Sequence, residues 1–131
     1  MNEEIVILGS KYMLSLLDNS EFIFIDGTFK TAAKGYYQLL VVMILDEQTN
    51  MFVPIIYGLL TSKTQDIYEY FFFLLQLICS KNEVLIKAKK AVMDLEEGLH
   101  NGWKKVFPQI QIIPCFFHYV KFFFINIFHI S

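Results

Sequence analysis

Apolar residues form short continuous runs in the first half of the chain and recur at helical intervals in the second. Phe22 to Ile25, Leu39 to Leu45 and Phe52 to Leu60 are each rich in Val, Ile, Phe or Tyr, and they predict three strands. Lys34-Gly35 and Asp46-Glu47-Gln48-Thr49-Asn50 separate them with turn-prone residues, and both separators are short enough for antiparallel hairpins. The chain is expected to open as a three-stranded antiparallel meander.

The period changes at Ser62, which has the spacing of a capping box with Gln65. Ile67, Phe71, Leu74, Leu75 and Ile78 then follow at helical intervals, and Tyr68, Phe72, Phe73 and Leu77 give the opposite face an apolar surface too. This predicts a helix lying against a sheet and largely covered by its neighbours. Beyond the polar, Lys-rich segment Ser80 to Lys90, the run Ala91-Val92-Met93-Asp94 predicts a short strand. Glu96 and Glu97 open a helical pattern of Leu99, Trp103, Val106 and Phe107 that Pro108 stops. Ile110, Ile112 and Ile113 predict a fifth strand, and Pro114 to His118 lead into an apolar stretch that can start another helix. The expected order is β-β-β-α-β-α-β-(α), an α/β mixed sheet of three antiparallel strands followed by helix-strand-helix-strand.

Composition narrows the setting. A length of 131 residues, 55% hydrophobic and 18% charged, fits one domain with a core of ordinary size, and no internal repeat, linker or low-complexity tract divides it. The formal charge of -2 gives no global field that would attract nucleic acid. Any such contact has to come from local clusters such as Lys87, Lys89 and Lys90, or Lys104 and Lys105. Cys79 and Cys115 are too few for a disulfide framework, and no signal-peptide pattern opens the chain, so a reduced intracellular setting is the expectation. A mean hydropathy of +0.44 raises the question of membranes. Ile67 to Cys79 is too short to span a bilayer, and Phe116 to Ile130 is interrupted by His118, Lys121, Asn126 and His129. Both runs read as core elements, with no membrane partner.

One charge stands out against this apolar background. Asp26, in Phe22-Ile23-Phe24-Ile25-Asp26-Gly27-Thr28-Phe29-Lys30, closes an apolar strand, and a carboxylate buried there needs a cation or a hydrogen-bond partner. Asp94 closes the fourth strand in the same way. In a mixed sheet of this element order the first and fourth strands can be neighbours, which sends both carboxylates to one edge. Two carboxylates so placed suit a hard divalent ion that takes its remaining ligands from a substrate phosphate. Gly27 would let a substrate backbone approach or the strand bend. Each aspartate also has a plainer reading: Asp26-Gly27 as a turn, and Asp94 as a helix N-cap with Glu96 and Glu97 complementing the helix dipole. Tyr36-Tyr37, Tyr68, Tyr70 and Phe71 to Phe73 fit core packing better than base stacking, and Lys30, Lys34 and Lys63 fit solvated surface better than phosphate contacts.

Read together, DGTFK at 26–30, YYQLLVVMIL at 36–45, VPIIYGLLTSKTQDIYEYFF at 53–72, MDLEEGL at 93–99, VFP at 106–108 and CFFHYVK at 115–121 resemble the transposase domain of Mutator-like elements, the MULE family. The resemblance covers residues 20–121, with 1–19 as a lead-in and 122–131 as an apolar tail not native to the domain. It implies a ribonuclease H-like fold, incomplete at the C-terminus, and a DDE active site that cuts transposon ends and joins them to target DNA with Mg²⁺ or Mn²⁺ in the nucleus. Asp26 and Asp94 fall on the first and second catalytic aspartates and would be metal ligands. Glu96 matches a family glutamate with a helix-dipole role as the expectation. Cys115 and His118 match the family's CxxH pattern, for which shaping of the site edge or ordinary packing is favoured over zinc, since a structural zinc site takes four ligands. The third acidic residue has no counterpart, as nothing after His118 is acidic. A truncated transposase core, inactive in isolation and with homo-oligomerisation left open, is the resulting expectation; the alternative is a non-catalytic remnant or co-opted module that binds DNA or protein.

Overall fold

The structure, a computed structural model, describes residues 4–28 and 34–114. Strand β1 (Ile5–Gly9), helix α1 (Lys11–Ser15) and a 3-10 turn (Leu16–Asn19) lead into β2 (Phe22–Thr28), β3 (Gln38–Asp46) and β4 (Met51–Leu60). Helix α2 (Gln65–Lys81), β5 (Lys90–Met93), α3 (Glu97–Val106) and β6 (Gln111–Pro114) follow. The six strands form one mixed sheet in the order β1-β4-β3-β2-β5-β6. The meander β2-β3-β4 is antiparallel, β1 adds to it antiparallel along β4, and β5 and β6 join on the other side parallel to β2. The lead-in is itself structured: Leu14 and Leu17 are buried in the same core as the sheet.

Period-two alternation sends Ile23 and Ile25 of β2, Leu40, Val42 and Ile44 of β3, and Ala91 and Met93 of β5 to one face, where all are buried. Helices α2 and α3 cover that face with Ile67, Phe71 and Leu75, and with Leu99 and Trp103. In β4 the alternation is interrupted. The pairing steps from Val42–Ile56 to Met43–Pro54, leaving Ile55 as an extra residue, a bulge placed next to a proline that has no N–H to give the ladder. The extra residue reverses the phase, so Val53 and Ile55 face the core on one side of it and Ile56 and Leu60 on the other.

Two helix starts differ from those the sequence suggests. Thr64, not Ser62, caps α2: its hydroxyl accepts the Ile67 N–H at 3.3 Å, while the Ser62 carbonyl is engaged by Gln38. Glu96, not Asp94, occupies the N-cap position of α3, because residues 94–96 form a separate turn closed by the Glu96 N–H on the Asp94 carbonyl at 2.8 Å. The cover over α2 is also less complete than expected. Tyr68 and Phe72 are buried, yet Phe73 and Leu77 are exposed, since α3 shields only part of that side. The α2–α3 contact is built on Phe72 and Trp103, edge to face at 4.9 Å, with Trp103 Nε1 donating to the Ile110 carbonyl at 3.3 Å. The last helix expected after Pro114 lies outside the described residues.

Gly102 lets the two helices approach: a β-carbon there would sit 2.9 Å from the backbone nitrogen of Glu69 and 2.9 Å from Tyr68 Cβ. Gly102→Ala is expected to lower the unfolding free energy by about 1–3 kcal/mol, read as a lower urea midpoint at unchanged slope. Burial, reinforced by the Asp18 carboxylate, pushes the Cys79 thiol up to about 11. A raised folded value means that the unfolded chain ionises first. Stability is therefore expected to be level below about pH 9 and to fall as pH rises toward 11, with a shallower fall in Cys79→Ala when both are followed by thermal unfolding.

Candidate functional site

β2 lies between β3 and β5, and the residue that ends its apolar run is paired with β3 and sits one step beyond the end of β5. Asp26 pairs across with Val41 and is buried, with 5% of its surface exposed. On the other side the parallel register runs Phe24–Val92 and Ile25–Met93. The next residues along are Asp26 and Asp94, so the two aspartates stand abreast, Asp94 just past the end of β5 and Asp26 still inside β2, which runs on to Thr28 rather than closing or turning at Asp26-Gly27. Asp94 is half-buried, the first residue past β5. The juxtaposition expected from the order of elements is the one that the register produces.

A hydrogen-bonded chain runs across the helix-covered face at the same end of the sheet. Gln38, 1% exposed, donates through Nε2 to the Ser62 carbonyl at 3.0 Å and to the Tyr68 hydroxyl at 2.9 Å. Tyr68 in turn donates to Glu96 Oε2 at 2.8 Å. Burial first, and then the Glu96 carboxylate, push the Tyr68 phenol far above its ordinary range, while the Gln38 bond pulls the other way. Burial and the Glu96 carboxylate both favour the protonated phenol, the form that donates to Glu96. Gly27 serves this chain too: a β-carbon there would lie 2.8 Å from Gln38 Oε1, so the space beside Gly27 is filled by the amide.

Glu96 stands at the N-terminus of α3, where a carboxylate is favoured by the helix dipole, but its side chain makes no cap bond and turns to Tyr68. Glu97 is the acidic residue of the first turn. One turn further, His100 places Nε2 at 2.6 Å from the Asp94 carbonyl. A carbonyl only accepts, so this nitrogen carries the proton. The Asp94 backbone is thereby held from two directions. Gln38, Tyr68 and His100 are site residues that the sequence reading does not single out. Gln38 does carry a signal, as an amide opening a nine-residue strand that is otherwise apolar up to Asp46. His100 carries none, because its partner is a backbone atom set by where α3 begins.

Among the described residues, no cluster of three or more His, Cys, Asp or Glu is arranged to hold a metal ion. The pair Asp26 and Asp94 offers hard carboxylate oxygens only, a donor chemistry that fits Mg²⁺ or Mn²⁺ completed by substrate and water. Cys115 and His118, with Phe29 and Lys30 of the first string and the 122–131 tail, lie outside the described residues. Of the aromatic groups, Tyr68, Phe71 and Phe72 are packed inside as expected, whereas Tyr37, Tyr70 and Phe73 are exposed. Lys34 and Lys63 are exposed as expected. No described helix is long and apolar enough to cross a membrane.

A family model described as the MULE transposase domain matches residues 22–122, most of the chain. No curated protein matches it.

Gln38→Leu keeps the volume of the buried amide roughly constant but withdraws its hydrogen bonds from the Ser62 carbonyl and Tyr68. The expected outcome is a loss of about 1–3 kcal/mol in denaturant unfolding.

Proposed function

We propose that this chain, which belongs to the MULE transposase domain family, holds a divalent metal ion between Asp26 and Asp94 and presents it to a DNA phosphodiester. The observation that carries this reading is the parallel register of β2 and β5, one step short of both aspartates. The strand order β4-β3-β2-β5-β6, a meander followed by two parallel strands with a helix leading into each, supports a ribonuclease H-like core for the domain. In this reading β1 is an addition along the outer edge of β4.

A bound Mg²⁺ or Mn²⁺ supplies Lewis-acid polarisation of a phosphoryl oxygen and an acidified water or hydroxyl nucleophile. The chain's own part is to hold and orient. Asp26 is held by its place in β2, paired with Val41 of β3 and one residue past the β5 ladder, and Asp94 by its carbonyl contacts with the Glu96 N–H and with His100. Lys63 lies in the connection that runs against the first turn of α3, where Gly98 allows a close approach to its carbonyl. We assign its exposed ammonium to a phosphate of the DNA backbone. Two carboxylates fix one ion loosely, and no third acid is grouped with them among the described residues. In-line chemistry is sensitive to displacements of about 1 Å, so metal and DNA binding without efficient cleavage is the activity assigned to this chain alone.

The test is a Mn²⁺ titration followed by electron paramagnetic resonance, together with a plasmid-nicking assay. Asp26→Asn and Asp94→Asn are each expected to weaken Mn²⁺ binding about tenfold or more. Any nicking detected should require Mn²⁺ and vanish in Asp26→Asn. Mn²⁺ affinity that neither substitution changes would overturn the reading. DNA binding that needs no metal and survives Asp26→Ala would point instead to the non-catalytic module.

A further inference from the structure

We infer that Tyr68 is a positioning residue, whose hydroxyl, receiving a hydrogen bond from Gln38 and donating one to Glu96, holds the turn that carries Asp94 in register with Asp26. The inference rests on the metal-binding reading of that pair. Its basis is a set of contacts that joins four elements and has one direction throughout.

Gln38 opens β3, Ser62 lies in the β4–α2 connection, Tyr68 is in α2, and Glu96 precedes α3. An amide nitrogen only donates and a carboxylate only accepts, so the phenol between them must do both. The Gln38 hydrogen bond to the Tyr68 oxygen leaves the phenolic hydrogen to Glu96, at 2.9 and 2.8 Å respectively. At one end of this chain Gln38 Oε1 lies against Gly27, the residue after Asp26. At the other end the Glu96 N–H closes on the Asp94 carbonyl at 2.8 Å, and His100 Nε2–H meets the same oxygen. The path therefore begins one residue from one carboxylate and ends two residues from the other.

Gln38 and Tyr68 are each 1% exposed, so the middle of the path exchanges no hydrogen bonds with water. In such surroundings hydrogen bonds are stiff, and a missing partner is felt by the groups that remain. Residues 94–96 join β5, which ends at Met93, to α3, which begins at Glu97. The His100 contact to the Asp94 carbonyl and the Tyr68 contact to the Glu96 side chain tie this junction to α3 and α2.

The full chain carries the test, with Mn²⁺ as the probe and far-UV circular dichroism as the check on folding. Tyr68→Phe is expected to raise the Mn²⁺ dissociation constant about tenfold, the order found when an outer partner of a metal ligand is removed. Glu96→Ala should do the same, and the double variant should be no worse than either, since both break one path. Glu96→Gln retains a carbonyl that accepts the Tyr68 hydrogen and should bind Mn²⁺ like the parent. Tyr68→Phe with unchanged affinity, or with a loss that adds to that of Glu96→Ala, overturns the inference while leaving the metal site standing. Should Tyr68→Phe not fold, the other pair decides: equal losses in Glu96→Gln and Glu96→Ala make Glu96 a ligand and overturn it as well. Failure of the underlying reading looks different, because then Asp26→Asn leaves the parent titration unchanged and the role of Tyr68 falls with the site.

Discussion

A parallel ladder cannot be closed by a tight turn; its two strands are joined by a long excursion, and their register is set by packing along their whole length. β2 and β5 are such a pair, with two strands and α2 in the excursion between them. Ile23, Ile25, Ala91 and Met93 are buried under the helices, and a slip of one residue would send them to the opposite face. The apolar core thus fixes the relative height of the two aspartates, although neither contributes to it. A site made this way takes its accuracy from hydrophobic burial.

Much of the architecture is legible in the sequence because hydrophobic runs of this length have few other uses. β2, β3, β4, α2, β5, α3 and β6 all fall where the alternation and the helical period put them. β1 is not legible: five residues with a polar flank look the same whether they pair with an edge or trail in solvent, and only the free edge of β4 decides. Local rules misplace the helix starts by two residues for a related reason. Ser62 and Asp94 are good caps in isolation, but the carbonyl of the first is engaged by Gln38 and the second belongs to a turn held by His100. Tertiary contacts claim the residues that local rules would use.

The same holds for the candidate site. The adjacency of Asp26 and Asp94 follows from the order of elements, and the sequence alone suffices to suggest it. The path through Gln38, Tyr68 and Glu96 is hidden there, since its members are spread over β3, α2 and the start of α3 and each has an ordinary reading alone. Tyr68 sits among aromatic residues that pack as expected, and its ring does pack. Its hydroxyl is what sets it apart, and hydroxyl geometry has no trace in hydrophobic periodicity. Asp26 and Gln38 are buried polar side chains on two neighbouring strands. Together they mark the end of the sheet where polarity is tolerated inside.

The bulge at Ile55 bears on how such a strand can change. It acts as a phase shifter between two half-strands, each of which keeps its own inside and outside. Substitutions within either half leave the other untouched, so the two can drift separately as long as each keeps its alternation. Loss of a single residue has opposite effects depending on where it falls. Removing Ile55 itself would leave a regular ladder with both halves in phase, Val53 opposite Ile44 and Ile56 opposite Val42, whereas removing a residue from within a half would turn the stretch beyond it inside out. For β4 the reading frame of the pleat is a harder constraint than the identity of the side chains it displays.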